Sequence, residues 1–102
     1  METMQNQLLL NESHLKTGAQ VLRALNHTLR QQMLTLIHSN GRMTVTNIFI
    51  KFRLEQPVAS QHLAILRKVG FLLTERQGKF IFYSVNYERL KEVQRLAAEL
   101  AA

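Results

Sequence analysis

The sequence of 102 residues contains no cysteine, and this absence excludes several kinds of chemistry. Without thiols the chain forms no disulfide bond, offers no thiolate to a metal ion and carries no thiol-based redox switch. Its fold must therefore be held by side-chain packing. A domain of this length buries little surface per residue, so a partner subunit would add to its stability.

Aspartate is absent too, and all seven acidic residues are glutamates. None of them lies beside a nucleophile or base in a catalytic pattern, and no glycine-rich phosphate loop is present. The histidines are scattered at unrelated spacings, whereas a zinc site needs three or four converging ligands. We therefore predict neither an enzyme nor a metal or other cofactor. Structural or surface roles are expected for His14, His27, His38 and His62.

Long apolar runs are also missing. Residues 1–14 have no basic run and only Leu8-Leu9-Leu10 as an apolar core, so they do not read as a signal peptide, and no stretch is long enough to span a membrane. We expect residues 1–14 to be an N-terminal extension, residues 15–102 to be one domain, and a bacterial-type cytosol to be its location.

Basic residues outnumber acidic ones by thirteen to seven, which gives a net charge of +6 and a pI near 10.3. Such an excess favours polyanions, because contacts with phosphates release bound counterions. Nucleic acid is therefore the leading predicted partner. Charge alone leaves open an acidic membrane surface or a merely solubilised protein.

Apolar residues recur at helical spacing from Leu15 and predict two helices, separated by a break around residues 26–28. Asn40-Gly41 ends the second helix, since both residues tolerate left-handed geometry. A third helix is expected to begin near residues 44–47, where side-chain oxygens are available as caps, and to end in a tight turn over residues 53–56.

The segment from Pro57 to Gly70 predicts a fourth helix. Pro57 suits its first position, where a missing N–H has no partner to lose, and Gly70 suits its end. One face is apolar and is expected in the core: Ala59, Leu63, Leu66 and Val69. The opposite face is small or polar and remains free to contact a partner: Pro57, Ser60, Gln61, Ala64 and Lys68.

Two short alternating segments, residues 71–76 and 79–85, predict an antiparallel hairpin turned at Gln77-Gly78. A last helix begins at Tyr87. The predicted order is α-α-α-α-β-β-α, a mainly α fold with a small β-hairpin. Two helices joined by a short turn, with a basic hairpin behind them, indicate a winged helix-turn-helix whose fourth helix enters a major groove about 12 Å wide.

The fourth helix and the hairpin tip carry groups suited to DNA. Gln61 presents an amide to base edges, Ser60 donates to a base or phosphate, and nearby cations reach the backbone. Each residue alone fits a solvated surface better, but their combination with a short turn and a wing favours DNA. The predicted DNA-binding residues are Gln56, Pro57, Ser60, Gln61, His62, Arg67, Lys68, Arg76, Gln77 and Lys79.

Apolar stripes on the first and last helices predict a homodimer that forms through these two helices. The dimer would place its two copies of the fourth helix one DNA turn apart. Burial in a single-chain core is the competing interpretation of the last stripe. The predicted interface residues are Leu15, Ala19, Leu22, Leu90, Val93, Leu96, Ala97 and Leu100.

Five blocks between Gln20 and Leu90 form a recognisable pattern: Val21-Leu22-Arg23-Ala24-Leu25, Arg30 with Met33-Leu34, Ser60-Gln61-His62-Leu63-Ala64-Ile65-Leu66-Arg67-Lys68-Val69-Gly70, Gly78-Lys79 and Phe82-Tyr83. In these blocks the chain resembles the ArsR/SmtB family of dimeric bacterial winged-helix repressors. The resemblance implies a homodimer that binds an imperfect inverted repeat in a promoter and blocks transcription. It implies that residues 60–62 belong to the recognition-helix motif and that Arg76 and Lys79 belong to the wing.

The chain departs from this family at the metal sites. Metal-sensing members carry Cys-Val-Cys at the start of the third helix, where this sequence has Thr44-Val45-Thr46, and hydroxyls do not replace thiolates for soft metals. The other familiar site uses Asp and His on the last helix, and residues 87–102 contain neither. The helix junction also differs, with Asn26-His27-Thr28 where relatives often have Asp-Pro-Thr.

The sequence thus predicts a metal-independent transcriptional repressor, nucleoid-associated, that binds an inverted-repeat operator in double-stranded DNA as a homodimer and has no membrane partner. The alternative is a winged-helix module for protein interaction or dimerisation, with weak or no specific DNA binding. A DNA-binding regulator that senses a small organic ligand or a histidine-bound metal also remains open.

Overall fold

The computed structural model describes residues 8–102 and contains five helices and three strands in this part of the chain. The helices are α1 (Glu12–Leu25), α2 (Thr28–Asn40), α3 (Val45–Phe52), α4 (Gln56–Lys68) and α5 (Tyr87–Ala101), and the strands are β1 (Met43–Thr44), β2 (Leu72–Gln77) and β3 (Phe80–Val85). The order α-α-β-α-α-β-β-α confirms the winged helix-turn-helix and adds one strand to the prediction. Residues 1–7 of the predicted extension lie outside the described residues.

Three of the helices begin at a capping side chain, which supplies an acceptor to a backbone N–H of the first turn. Asn11, Thr44 and Asn86 accept from the N–H groups of His14, Asn47 and Arg89 at 2.9, 3.3 and 3.3 Å. The cap at Asn11 starts α1 three residues before the predicted Leu15. The cap at Thr44 confirms the predicted start of α3.

Helices α2 and α3 end at a residue with positive φ. Gly41 follows α2 with φ +80°, as predicted from Asn40-Gly41. Arg53 follows α3 with φ +54°, and the N–H of Leu54 donates to the carbonyl of Phe49 at 2.9 Å. This bond closes the last turn of α3 and redirects the chain into the start of α4.

The sheet has the strand order β1-β3-β2, with both pairings antiparallel. β1 pairs Met43 with Tyr83 and was not predicted, because a strand of two residues has no periodicity to detect. The hairpin turn is Gly78-Lys79, one residue later than predicted, since Gln77 pairs with Phe80. Gly78 adopts φ +62° at the first loop position, where a two-residue hairpin favours glycine.

The core forms where α2, α3 and α4 meet the sheet. Its largest fully buried side chains are Met33, Ile37, Ile48, Leu63, Leu66 and Phe71. Burial of one such side chain stabilises the fold by about 1.5–3 kcal/mol. α4 is thus anchored by its apolar face. Among residues 8–102 no helix combines the length and apolar character needed to cross a bilayer.

Candidate nucleic-acid interface

The outward face of α4 is open to solvent. Gln61, Ala64 and Lys68 are exposed, whereas Ser60 is half-buried. Ala59, Leu63 and Leu66 on the opposite face are fully buried. The helix of 13 residues is about 20 Å long, and its free face consists of small or polar residues. A rod of this length and surface matches the dimensions of a major groove.

The start of α4 is exposed as well. The helix begins at Gln56, so that the predicted Pro57 lies in its first turn, one position later than expected. Only residues 53–55 separate α3 from α4, which is the short connection of a helix-turn-helix. At the other end of α4, the exposed Arg67 and Lys68 lie in the last turn, where cations complement the helix dipole.

His62 faces the body of the protein rather than open solvent. Its Nδ1 lies 3.3 Å from a terminal guanidinium nitrogen of Arg30, and its ring centroid lies 5.1 Å from that of His27. Arginine is always a donor, so Nδ1 must accept and the ring proton must sit on Nε2. Partial burial, then the neighbouring His27 and Arg30, lower the pKa of His62 from its usual 6.5. These contacts give His62 a packing role midway along α4, on the side of the helix that faces Arg30.

Arg30 connects α4 to the junction between α1 and α2. Its Nε donates to the carbonyl of Ala24 at 2.7 Å, and a terminal nitrogen donates to that of Arg23 at 3.1 Å. These carbonyls belong to the last turn of α1. No N–H group within the helix donates to them, because the helix ends there. The side chain is buried and its remaining terminal nitrogen faces His62. A single cation therefore fixes α1 and α4 relative to each other.

The wing presents its cations at the tip. Arg76 and Lys79 are both exposed. Arg76 Nε donates to the carbonyl of Gly78 at 3.3 Å, and Lys79 Nζ lies 5.5 Å from the centroid of the Phe80 ring. These local contacts orient the long side chains while leaving their charges in solvent, where phosphate groups are accessible to them.

Sequence reasoning missed two arginines that contact the elements of this surface. The sequence indicates Arg30 only through the family pattern, although a cation within the apolar stripe of α2, between Leu29 and Met33, signals a buried and partnered side chain. No local pattern marks Arg42. Its guanidinium contacts Glu75 and Gln77 on the wing, and Gln77 is thereby engaged at its side-chain oxygen.

The predicted interface residues of α1 and α5 fall into three groups by exposure. Leu15, Ala19, Leu96 and Leu100 are exposed; Leu22, Leu90 and Ala97 are half-buried; Val93 is buried. Val93 retains 4% of its surface and belongs to the core of the single chain, the competing interpretation of that stripe. The exposed residues leave an apolar surface along both helices.

No protein-family model matches the chain. The chain is similar to an uncharacterised HTH-type transcriptional regulator of Methanocaldococcus jannaschii, with 34% identity over 81% of this chain and 93% of that protein. The arsenic resistance transcriptional regulator ArsR2 of Pseudomonas putida is 36% identical over 71% of this chain, which spans 63% of its length.

The transcriptional repressor PagR of Bacillus anthracis is 31% identical over 80% of this chain and 82% of its own sequence. Its crystal structure matches the present fold with a TM-score of 0.65 and 28% identity, covering 84% of this chain and 99% of PagR. The chain belongs to the ArsR family of transcriptional regulators. ArsR proteins are not enzymes, in agreement with the sequence prediction.

Thr44 lies where metal-sensing ArsR proteins have the first cysteine of the Cys-Val-Cys motif. Its role here is structural, because its hydroxyl caps α3. Across residues 8–102 no group of three histidine or glutamate side chains converges as metal ligands. His38 instead pairs with Tyr87, with Nδ1 and the phenol oxygen 2.7 Å apart, and His14 is exposed on α1.

Proposed function

We propose that this ArsR-family chain is a repressor that binds an inverted-repeat operator as a homodimer, without a metal, on DNA in the cytosol. The observation that carries the proposal is the two-sided character of α4: Leu63 and Leu66 anchor it, and Gln61 and Lys68 face outward. The role of PagR as a transcriptional repressor supports repression rather than activation.

The two parts of the surface suit different tasks. A glutamine amide forms paired hydrogen bonds with adenine in the major groove, so Gln61 is assigned to base readout. Arg76 and Lys79 at the wing tip carry charge without base-specific geometry and are assigned to the phosphate backbone. The wing would then set the orientation in which α4 meets the bases.

Exposed apolar side chains support the homodimer. Leu15 on α1 is 61% exposed and Leu100 on α5 is 76% exposed. An apolar groove of about 290 Å³ runs between the two helices, bordered by Val21, Leu22 and Leu96 among others. The radius of gyration is 16.6 Å, against about 13 Å for a compact chain of 100 residues. A second copy would cover apolar surface that the elongated single chain leaves open.

The test compares Gln61→Ala with Lys79→Ala in fluorescence anisotropy titrations on the chain's own promoter and on random duplex DNA, across a range of salt concentrations. Gln61→Ala is expected to reduce the preference for the promoter by about 1–3 kcal/mol, because a base contact is lost. Lys79→Ala is expected to weaken both duplexes equally and to reduce the salt slope by about one per subunit, because a phosphate contact is lost.

Gln32→Ala on α2 and Lys91→Ala on α5 are the controls, because they remove a glutamine and a lysine from exposed positions outside the proposed DNA surface. They should change neither the preference for the promoter nor the salt slope. Equal losses on promoter and random DNA for both interface variants would contradict the division of tasks. A wild-type protein that shows no preference for its promoter would contradict operator binding and favour the protein-interaction module.

A further inference from the structure

One side chain reaches across all three strands of the sheet. Arg42 lies between Gly41 and β1, and its guanidinium carbon is 4.2 Å from the ring centroid of Phe82 on β3. Beyond that ring, its two terminal nitrogens contact β2, one 3.3 Å from Glu75 Oε1 and the other 3.2 Å from Gln77 Oε1. One guanidinium thus connects the start of β1, at one edge of the sheet, to β2 at the other edge.

These contacts begin where the burial of the hairpin ends. Leu72 and Val85 at its base are buried, whereas the outer residues of β2, from Glu75 onward, are exposed, as are Phe80 and Ile81 at the start of β3. A two-stranded hairpin without a packed face is marginally stable in water. The outer half of the wing therefore needs a support other than the core.

Arg42 is well placed to give that support. Its backbone is fixed on both sides, by Gly41 at the end of α2 and by the buried Met43, which pairs with Tyr83. Two residues further on, Thr44 caps α3, the first helix of the helix-turn-helix. A contact from Arg42 to the outer wing is therefore a contact from the helix-turn-helix to the wing.

We propose that Arg42 is a positioning residue for the wing: by holding Glu75, Gln77 and Phe82, it fixes where the tip cations lie relative to α4. The inference rests on the proposed DNA-binding function and adds a residue to it. Arg42 acts on DNA through the hairpin, while Lys79 and Arg76 make the phosphate contacts.

A direct phosphate contact by Arg42 is the rival, and charge separates the two. In the positioning role the guanidinium must keep its glutamate partner, so the pair acts as a unit. In the direct role Glu75 is a competitor, since its carboxylate occupies the guanidinium and repels the phosphate. The two roles therefore predict opposite changes in the importance of Arg42 when Glu75 is removed.

The experiment is a double-mutant cycle of Arg42→Ala and Glu75→Ala, with anisotropy titrations on the promoter duplex at several salt concentrations. Arg42→Ala is expected to reduce promoter affinity about three- to tenfold, the range expected for an exposed ion pair combined with a cation–π contact. The salt slope is expected to stay at the wild-type value. In the Glu75→Ala background the effect of Arg42→Ala should shrink, because the pair is already broken.

Arg42→Lys provides the conservative variant. Lysine keeps the charge but lacks the planar fork that serves two acceptors at once, so positioning predicts a loss close to that of Arg42→Ala. Arg95→Ala on α5 is the matched control, since Arg95 is an exposed arginine 3.2 Å from Glu99 and lies far from the wing in the chain. It should leave promoter affinity unchanged. Circular dichroism melting of each variant identifies any loss of fold, in which case Arg42→Lys carries the test.

The inference would be overturned by full affinity of Arg42→Lys, by a salt slope lowered by about one per subunit in Arg42→Ala, or by an undiminished effect of Arg42→Ala without Glu75. Wild-type affinity of Arg42→Ala would also overturn it and leave the proposed function intact. Absence of promoter preference in the wild-type protein is a different failure, which removes the proposed function and with it the inference.

Discussion

At the scale of single residues, the position of α4 depends on a buried arginine. Burying a cation is costly unless acceptors surround it. Each of the three guanidinium nitrogens of Arg30 has one: the carbonyls of Arg23 and Ala24 and the His62 ring. The first two acceptors lie at the C-terminus of α1, where the helix dipole also favours a positive charge.

Stability depends on pH through His62, whose pKa is lowered first by its partial burial and then by the neighbouring His27 and Arg30. The lowered pKa of His62 means that the folded state favours the neutral ring, while the unfolded chain takes up a proton near pH 6.5. The contribution is therefore complete above that pH and is lost as the pH falls through 6.5 toward the folded value. Protonation of His62 also places a positive charge next to the guanidinium of Arg30. Urea denaturation at pH 7.5 and 5.5 is expected to show a larger loss of stability in acid for wild type than for His62→Gln.

His14→Gln is the matched control for this measurement, because His14 is exposed on α1. It should retain the wild-type pH dependence. An identical loss of stability in acid for wild type and His62→Gln would show that His62 does not carry the effect.

At the scale of elements, the turn of the helix-turn-helix contains a local strain. Arg53 adopts φ +54°, a conformation that costs a residue with a Cβ about 1–2 kcal/mol. Glycine pays no such cost but loses more chain entropy on folding. Arg53→Gly is expected to stabilise the protein by about 0.5–1 kcal/mol, the difference of the two effects. A shift of the urea midpoint to higher concentration at an unchanged m-value would confirm it.

Arg53→Ala is the control, since alanine removes the same side chain but keeps the Cβ, and it should bring no such gain. A lower midpoint for Arg53→Gly would mean that the arginine side chain stabilises the turn by more than its backbone strain costs.

The helices and their order followed from the sequence because each has a strong local signal. The apolar spacing of α4, the cap at Thr44 and the stop at Gly41 are decided within a few residues. β1 has no such signal, because it exists only through its pairing with β3. The hairpin turn was placed one residue early, since one glycine alone does not say which loop position it fills.

The candidate site was predictable to the same extent. The outward residues of α4 follow from helical geometry once the apolar face is known, and Gln61 is exposed as expected. The inward orientation of His62 and the reach of Arg42 depend on residues 32 and 33 positions away, at Arg30 and Glu75. Contacts between residues so distant in sequence leave no trace in local spacing.

At the scale of the whole molecule, the exposed ends of the fold predict association. Leu100→Glu is expected to convert the protein to monomers at concentrations where wild type is dimeric, because a carboxylate is costly to bury in an apolar interface. Light scattering coupled to size-exclusion chromatography measures the mass. Promoter affinity should fall about tenfold or more, since one copy presents only one reading helix.

Ile50→Glu places the same charge on an exposed apolar position of α3, outside the proposed interface, and should leave the mass unchanged. Leu15→Glu on α1 should reproduce the effect of Leu100→Glu. A wild-type protein that is monomeric at micromolar concentration, or a dimer that tolerates both substitutions, would contradict the assembly.

The hydrogen bonds from Arg30 to α1 are accepted by main-chain carbonyls and not by side chains. Exchange of the side chains along the outer surface of α1 should therefore leave this attachment of α4 intact. Two copies could then be redesigned so that the contact surface of each binds the other copy but not itself. The resulting heterodimer would keep the DNA preference of each half. Asymmetric operators would then become accessible to a scaffold that, as the proposed homodimer, reads palindromes.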